Sequence, residues 1–243
     1  MAVGSREAGA TLPVADRVGW VTAVWILMAV AGLAALVDWI AVSRSDRGLE
    51  YVAKPAVLVA LTLAAAAIPA QSIDLVDRRW WFVCALACCL VGDVALMLPR
   101  DLFVPGLAAF LAGHVLFVIG LLQAPSPAGS PPFSFSATGL LVAAAMVIAV
   151  EAVPGSVLIR ALWRDGHRSL VPPVLLYVAA IMTMVVLAAN VGITLALTGA
   201  ALFLLSDTLL AIDRFVRPIP RGSLSVHVTY HLAQGLLVLS LLR

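Results

Sequence analysis

Two carboxylates stand in runs apolar and long enough to cross a membrane. Asp93 lies in Leu90-Val91-Gly92-Asp93-Val94-Ala95-Leu96-Met97-Leu98, and Asp207 in Leu205-Ser206-Asp207-Thr208-Leu209-Leu210. The run around Asp93 begins at Trp80-Trp81 and stops at Pro99-Arg100-Asp101. That puts the carboxyl about five residues, or roughly 8 Å of helix, inside the end of the run. A carboxylate at that depth costs several kcal/mol unless it has a partner or a neutralising proton, which marks both aspartates as functional candidates.

Three chemistries fit such a pair. One aspartate kept protonated beside one kept ionised, near Lys54 or a histidine, supplies an acid and a base in one pocket. Asp93, Asp207, His114 and His231 have the donor types of a zinc site. The same carboxylates also suit a proton relay or ion site in a transporter. The structural alternative is an interhelical hydrogen-bond cluster, with Lys54 as counter-ion. Two further stripes surround the pair. Phe110, Gly113, His114 and Phe117 recur at i, i+3, i+4 and i+7, as do His227, Tyr230, His231 and Gln234. Gly113 beside His114 permits close approach of a neighbouring helix or a substrate chain. His227, close to the membrane surface, reads as an interhelical hydrogen-bonding residue.

The rest of the chain is organised to carry these residues across a bilayer. It is 243 residues long, 63% hydrophobic and 12% charged, with a mean hydropathy of +1.09. Soluble domains carry about 25% charged residues. A net charge of +2 without a basic stripe excludes a nucleic-acid partner, and continuous apolar runs exclude a β-barrel. Cys84, Cys88 and Cys89 share one run without C-x-x-C spacing and read as packing residues. G-x-S-x-G, P-loop, G-x-G-x-x-G and H-E-x-x-H motifs are absent. Ser206 beside Asp207 forms no triad, because neighbouring helix residues point about 100° apart.

The apolar runs predict an all-α protein with eight transmembrane helices behind a loose tail, residues 1–16. The segments are approximately Val18–Val42, Lys54–Ala70, Trp80–Leu98, Phe103–Gln123, Phe133–Val153, Pro172–Ala189, a seventh ending at Ile212, and Ser223 to the C-terminus. The second segment is expected to open at Lys54-Pro55, with proline in its first turn. Ser43–Tyr51 and Pro154–Leu170 read as charged loops, and Asn190-Val191-Gly192 as a tight turn. Asp38, near the end of the first segment, fits either the carboxylate cluster or the interface.

Nine arginines (44, 47, 100, 160, 164, 168, 214, 217 and 221) fall in the loops 1–2, 3–4, 5–6 and 7–8, against five (6, 17, 78, 79 and 243) on the other side. This bias places the first set in the cytoplasm and both termini outside. Lys54, Asp93, His114, Asp207, Tyr230 and His231 then share the cytoplasmic half of the bilayer. A weak internal repeat matches Gly92-Asp93-x-x-Leu96 to Ser206-Asp207-x-x-Leu210, with His114 and His231 on the following helices. It implies a parallel 4+4 duplication.

Lys54-Pro55, Gly92-Asp93-x-x-Leu96-Met97-Leu98, Phe110-x-x-Gly113-His114, Ser206-Asp207-x-x-Leu210-Ala211 and Tyr230-x-x-x-Gln234 together resemble the YhhN family of integral membrane proteins. The resemblance covers about residues 20 to 240. It implies eight helices and hydrolysis of the vinyl ether bond of lysoplasmalogens, giving a fatty aldehyde and a glycerophospho-alcohol. It also implies that Asp93 and Asp207 are catalytic. Many bacteria with such proteins are not known to make plasmalogens, and the alanine-rich, arginine-over-lysine composition points to a high-GC bacterium and its cytoplasmic membrane.

Vinyl ether hydrolysis needs a general acid for the β-carbon, a carboxylate to stabilise the oxocarbenium ion and activate water, and no covalent nucleophile. It calls for no cofactor and no metal. Asp93 is expected as the ionised partner, near Lys54, and Asp207 as the acid. Lys54 and Tyr230 would hold the head group of a lysophospholipid substrate, while Phe110, Gly113 and Phe117 line its acyl channel. Ser206, His114, His231 and Gln234 complete the expected substrate site. A proton-coupled transporter and a zinc-dependent lipid hydrolase are the alternatives.

Overall fold

A computed structural model describes residues 14–69, 73–124, 137–150 and 155–242. Nine α-helices account for most of the described residues: α1 (Val14–Ser43), α2 (Arg47–Ala67), α3 (Ile73–Met97), α4 (Phe103–Leu122), α5 (Ala137–Val150), α6 (Ser156–Arg164), α7 (Val171–Val191), α8 (Thr194–Phe215) and α9 (Gly222–Leu239). All but α5 and α6 include a stretch long and apolar enough to cross a membrane, which makes seven such spans among the described residues. Large apolar side chains such as Trp25, Leu33, Val52, Val91 and Leu176 face outward. Exposed apolar surface on that scale belongs in lipid, so the chain is a multi-pass membrane protein.

Several boundaries differ from the sequence reading. The first helix begins at Val14, so residues 14–16 of the expected tail are helical. Helix α2 opens at Arg47, about two turns before Lys54-Pro55, because Asp46 caps it by accepting from the Leu49 N–H at 3.1 Å. Pro55 therefore sits inside the helix, at the cost of one backbone hydrogen bond. Helix α3 takes in the charged stretch before Trp80 and includes Arg78 and Arg79. Each arginine donates to a carbonyl at a neighbouring helix end, Arg78 to Ser240 and Arg79 to Ile68. Pro154–Leu170, expected as a loop, contains α6, an amphipathic helix that buries Leu158, Ala161 and Leu162 and exposes Arg160, Trp163 and Arg164. Of the expected fifth segment, Phe133–Val153, only α5 is described; the remainder lies outside the described residues. The turn after α7 is made at Gly192, whose φ of 73° favours glycine.

One close approach sets the geometry around the aspartates. Gly106, Gly113 and Gly120 recur every seventh residue on α4, and all three face α3. A Cβ on Gly113 would stand 2.9 Å from Cys89 Sγ and 3.2 Å from the Ala85 carbonyl, and one on Gly120 would enter the Phe82 ring. The two helices therefore pack almost backbone to backbone. The space that the sequence reading shared between a neighbouring helix and a substrate chain at Gly113 is taken by α3. Phe117, expected to line the acyl channel, is fully buried against Phe82 and Phe203 instead. We predict that Gly113→Val lowers stability in detergent by about 1–3 kcal/mol through overpacking. The control change Gly19→Ala, where a Cβ meets nothing within 4 Å, should not lower the thermal midpoint.

Candidate active site

Asp93 is sealed. Its Oδ1 lies 3.0 Å from Lys54 Nζ of α2, and its Oδ2 accepts from the Tyr230 hydroxyl of α9 at 2.8 Å. The Asp93 side chain is 2% exposed and that of Lys54 10%, so the charges neutralise one another inside the bundle. Lys54 Nζ also lies 5.9 Å from the Tyr230 ring centroid. A lysine held in this way is not free to grip a phosphate head group, the role first expected of it.

Asp207 is held differently. Its Oδ2 accepts from the Tyr177 hydroxyl of α7 at 2.6 Å and lies 3.7 Å from His114 Nε2. His114 Nδ1 faces the Phe110 carbonyl at 2.7 Å, and a carbonyl can only accept, so Nδ1 is the donor there. In the neutral ring Nε2 is then a bare lone pair, and it has no hydrogen-bond partner among the described residues. No lysine or arginine lies within 4 Å of Asp207 there. The Asp207 carboxyl is thus matched with a hydroxyl and an imidazole rather than with a permanent cation.

An aromatic cluster joins the two carboxyls. The His114 ring packs on Tyr177 (5.0 Å) and Phe203 (4.5 Å), and Phe203 packs on Tyr230 (5.4 Å), which also meets Phe110 (5.9 Å). The arrangement is reciprocal. The helix before each aspartate supplies its near partner, Lys54 for Asp93 and Tyr177 for Asp207. The helix after each aspartate serves the other one: α4 turns His114 to Asp207, and α9 turns Tyr230 to Asp93.

Beside Asp207, but not beside Asp93, an apolar cavity opens between α3, α4, α6, α7 and α8. Leu96, Leu107, Phe110, Val174, Leu204 and Ala211 line it, with Leu158 and Ile159 of α6, and Tyr177 and Asp207 are its main polar groups. Of the residues expected in the acyl channel, only Phe110 lines this cavity.

The remaining expected site residues separate. Gln234 is fully buried beside Cys89 and Tyr230. Ser206 Oγ donates to the Val226 carbonyl at 3.1 Å and ties α8 to α9. His231 turns away from both aspartates. Its Nδ1 accepts from Trp39 Nε1 at 3.2 Å and stands 3.8 Å from Asp38 Oδ2. His227 Nδ1 meets the same Asp38 oxygen at 2.7 Å. Asp38 therefore founds a separate α1–α9 contact. Among the described residues, no three His, Cys, Asp or Glu side chains converge as metal ligands would, so the zinc alternative finds no donor set.

A bundle of membrane-length helices enclosing one buried aspartate, Asp93, and one part-buried aspartate that lines an apolar cavity, Asp207, defines a polytopic membrane protein. The YhhN family profile matches residues 49–241, and the chain belongs to that family. It is 35% identical to human lysoplasmalogenase TMEM86B over 159 residues, 65% of this chain and 62% of that protein. It is 30% identical to the lysoplasmalogenase of Mycobacterium bovis over 217 residues, 86% and 78% of the respective chains. The chain thus spans under two thirds of the human relative's length. No solved structure matches.

Breaking the buried pair from one side should be costly. Lys54→Met leaves an uncompensated carboxylate and should destabilise the protein by about 3 kcal/mol. Lys54→Met with Asp93→Asn should recover most of that loss in the thermal midpoint. A double variant no more stable than the single would show that the two charges do not depend on one another.

Proposed function

We propose that the chain is a lysoplasmalogenase-like hydrolase of lysophospholipid vinyl ethers, with Asp207 as its acid. The observation that carries this reading is the asymmetry of the two carboxyls: Asp93 is bonded on both oxygens, whereas Asp207 lines the apolar cavity. The names of the relatives support the substrate class.

In this mechanism the 1-alkenyl chain lies in the cavity with its enol ether against Asp207. The acid transfers its proton to the β-carbon, and the resulting oxocarbenium ion stands beside the new carboxylate. Water adds to the α-carbon and returns a proton to Asp207, with His114 Nε2 placed to accept hydrogen bonds from the water. The hemiacetal collapses to a fatty aldehyde and a glycerophospho-alcohol. Overall, one water is consumed and no proton is gained or lost. Tyr177 holds the Asp207 carboxyl in place. Asp93 acts through Tyr230, whose ring supports Phe203 and Phe110, and so is a positioning residue.

The same reading includes eight crossings. The Arg214–Asp101 contact puts the end of α8 beside the start of α4. The short turn at Gly192 makes α7 antiparallel to α8, so α7 starts at that end too. The chain leaves α4 at the far end and must cross back before α7, and α5, packed on α7, is the apolar helix available for it. The reciprocal partners of Asp93 and Asp207 support the parallel 4+4 duplication. The arginine bias supports placing the Arg214 end in the cytoplasm.

Purified protein given lysoplasmenylcholine should release aldehyde and be indifferent to chelators. Asp207→Asn should lower the rate by about 10²–10⁴-fold, the range of a lost general acid. Tyr177→Phe should lower kcat with little change in KM. Aldehyde release that survives in Asp207→Asn would overturn the mechanism, and loss with chelator would move the site to a metal.

A further inference from the structure

The lining of the cavity beside Asp207 includes an aromatic pair, Phe103 of α4 and Phe215 of α8, whose centroids are 5.1 Å apart. The Arg214 guanidinium lies on both rings, 4.4 Å from the Phe103 centroid and 5.6 Å from that of Phe215. Its Nη2 donates to Asp101 Oδ1 at 2.9 Å, and the side chains are 38% and 79% exposed. Arg214 is therefore a part-exposed cation stacked on two rings that line the cavity. Its carboxylate partner is loose enough to be displaced.

Arg214 follows Asp207 by seven residues, which puts the two on one face of α8, about 10 Å apart along the axis. Leu210 and Ala211, at i+3 and i+4 between them, both line the cavity. In an extended lysophospholipid, seven bonds separate the enol-ether β-carbon from phosphorus. At bond lengths of about 1.5 Å that span is roughly 9 Å. The axial rise from Asp207 to Arg214 is thus close to the span from reacting carbon to phosphorus.

We propose that Arg214 is the phosphodiester subsite of this cavity. It takes the anionic phosphate of a single-chain lipid in place of Asp101, with Phe103 and Phe215 holding the guanidinium plane so that one edge can bond two phosphate oxygens. The inference rests on the Asp207-centred hydrolase reading for its direction, but its test reads binding, which requires no turnover. In this arrangement the site selects for a phosphate at a fixed distance from the acid.

The test compares three probes on the full chain in detergent: 1-palmitoyl lysophosphatidylcholine, 1-monopalmitoylglycerol, which lacks the phosphate, and glycerol 3-phosphate, which lacks the chain. Arg214→Gln should weaken lysophosphatidylcholine binding about tenfold, the loss of one charge-assisted contact. Monopalmitoylglycerol affinity should stay unchanged. Asp101→Asn breaks the same ion pair while freeing the cation, so it should bind lysophosphatidylcholine at least as tightly as the unaltered protein.

If both variants weaken both lipids alike, the pair is an interhelical staple and the proposal falls. It also falls if Arg214→Gln leaves lysophosphatidylcholine unaffected, or if glycerol 3-phosphate binds as tightly as the lipid. Aldehyde release from lysoplasmenylcholine, measured on the same protein, separates the two ideas. Arg214-dependent binding without aldehyde release keeps the phosphate subsite and overturns the hydrolase, and release without Arg214-dependent binding does the reverse.

Discussion

The fold depends on how a charge is disposed of where there is no water. Asp93 and Lys54 neutralise one another inside the bundle, and Tyr230 satisfies the second carboxylate oxygen. A buried pair of this kind gains little net stability, because the desolvation of both ions offsets their attraction, but it penalises every arrangement that separates them. It therefore fixes the relative position of α2, α3 and α9. With one carboxylate committed in this way, the other is left with neutral partners and an open face.

The close packing of α3 on α4 serves the same end. Gly113 faces α3, and His114, one residue on, points about 100° away from that contact, against Tyr177 and Phe203. The Phe110 carbonyl occupies its Nδ1 and leaves Nε2 toward Asp207. A thicker residue at 106, 113 or 120 would push α4 outward and carry the imidazole with it. The glycine repeat is thus part of the site, although none of the three glycines lines the cavity.

The two aspartates were legible because an apolar run makes a carboxylate conspicuous, and Lys54 because it is the chain's single lysine in such a run. Tyr177 was not, since a tyrosine in an apolar helix has the composition of ordinary core. The available signal was scarcity: there are only three tyrosines, and the two buried ones, Tyr177 and Tyr230, each bond an aspartate. Helical spacing put His227, Tyr230, His231 and Gln234 on one stripe, but a stripe does not say which neighbours divide it. Helix α1 takes the two histidines through Asp38, and α3 takes Tyr230. Ser206 was read by its neighbour Asp207, yet it bonds to α9. The helix α6 was hidden because its arginines outweighed its three inward apolar residues.

The reciprocity of the partners explains why the two aspartates are not interchangeable. In a strict duplication each would meet the same groups, and both would be paired or both open. Here the second half supplies a tyrosine where the first supplies a lysine, and the first half supplies an imidazole where the second supplies a tyrosine. Lysine brings a permanent charge and so closes its site. Tyrosine and imidazole bring hydrogen-bonding atoms without one, so the carboxyl beside them has no fixed counter-ion. Under the proposed function, these two differences of partner make Asp93 the anchor and Asp207 the acid.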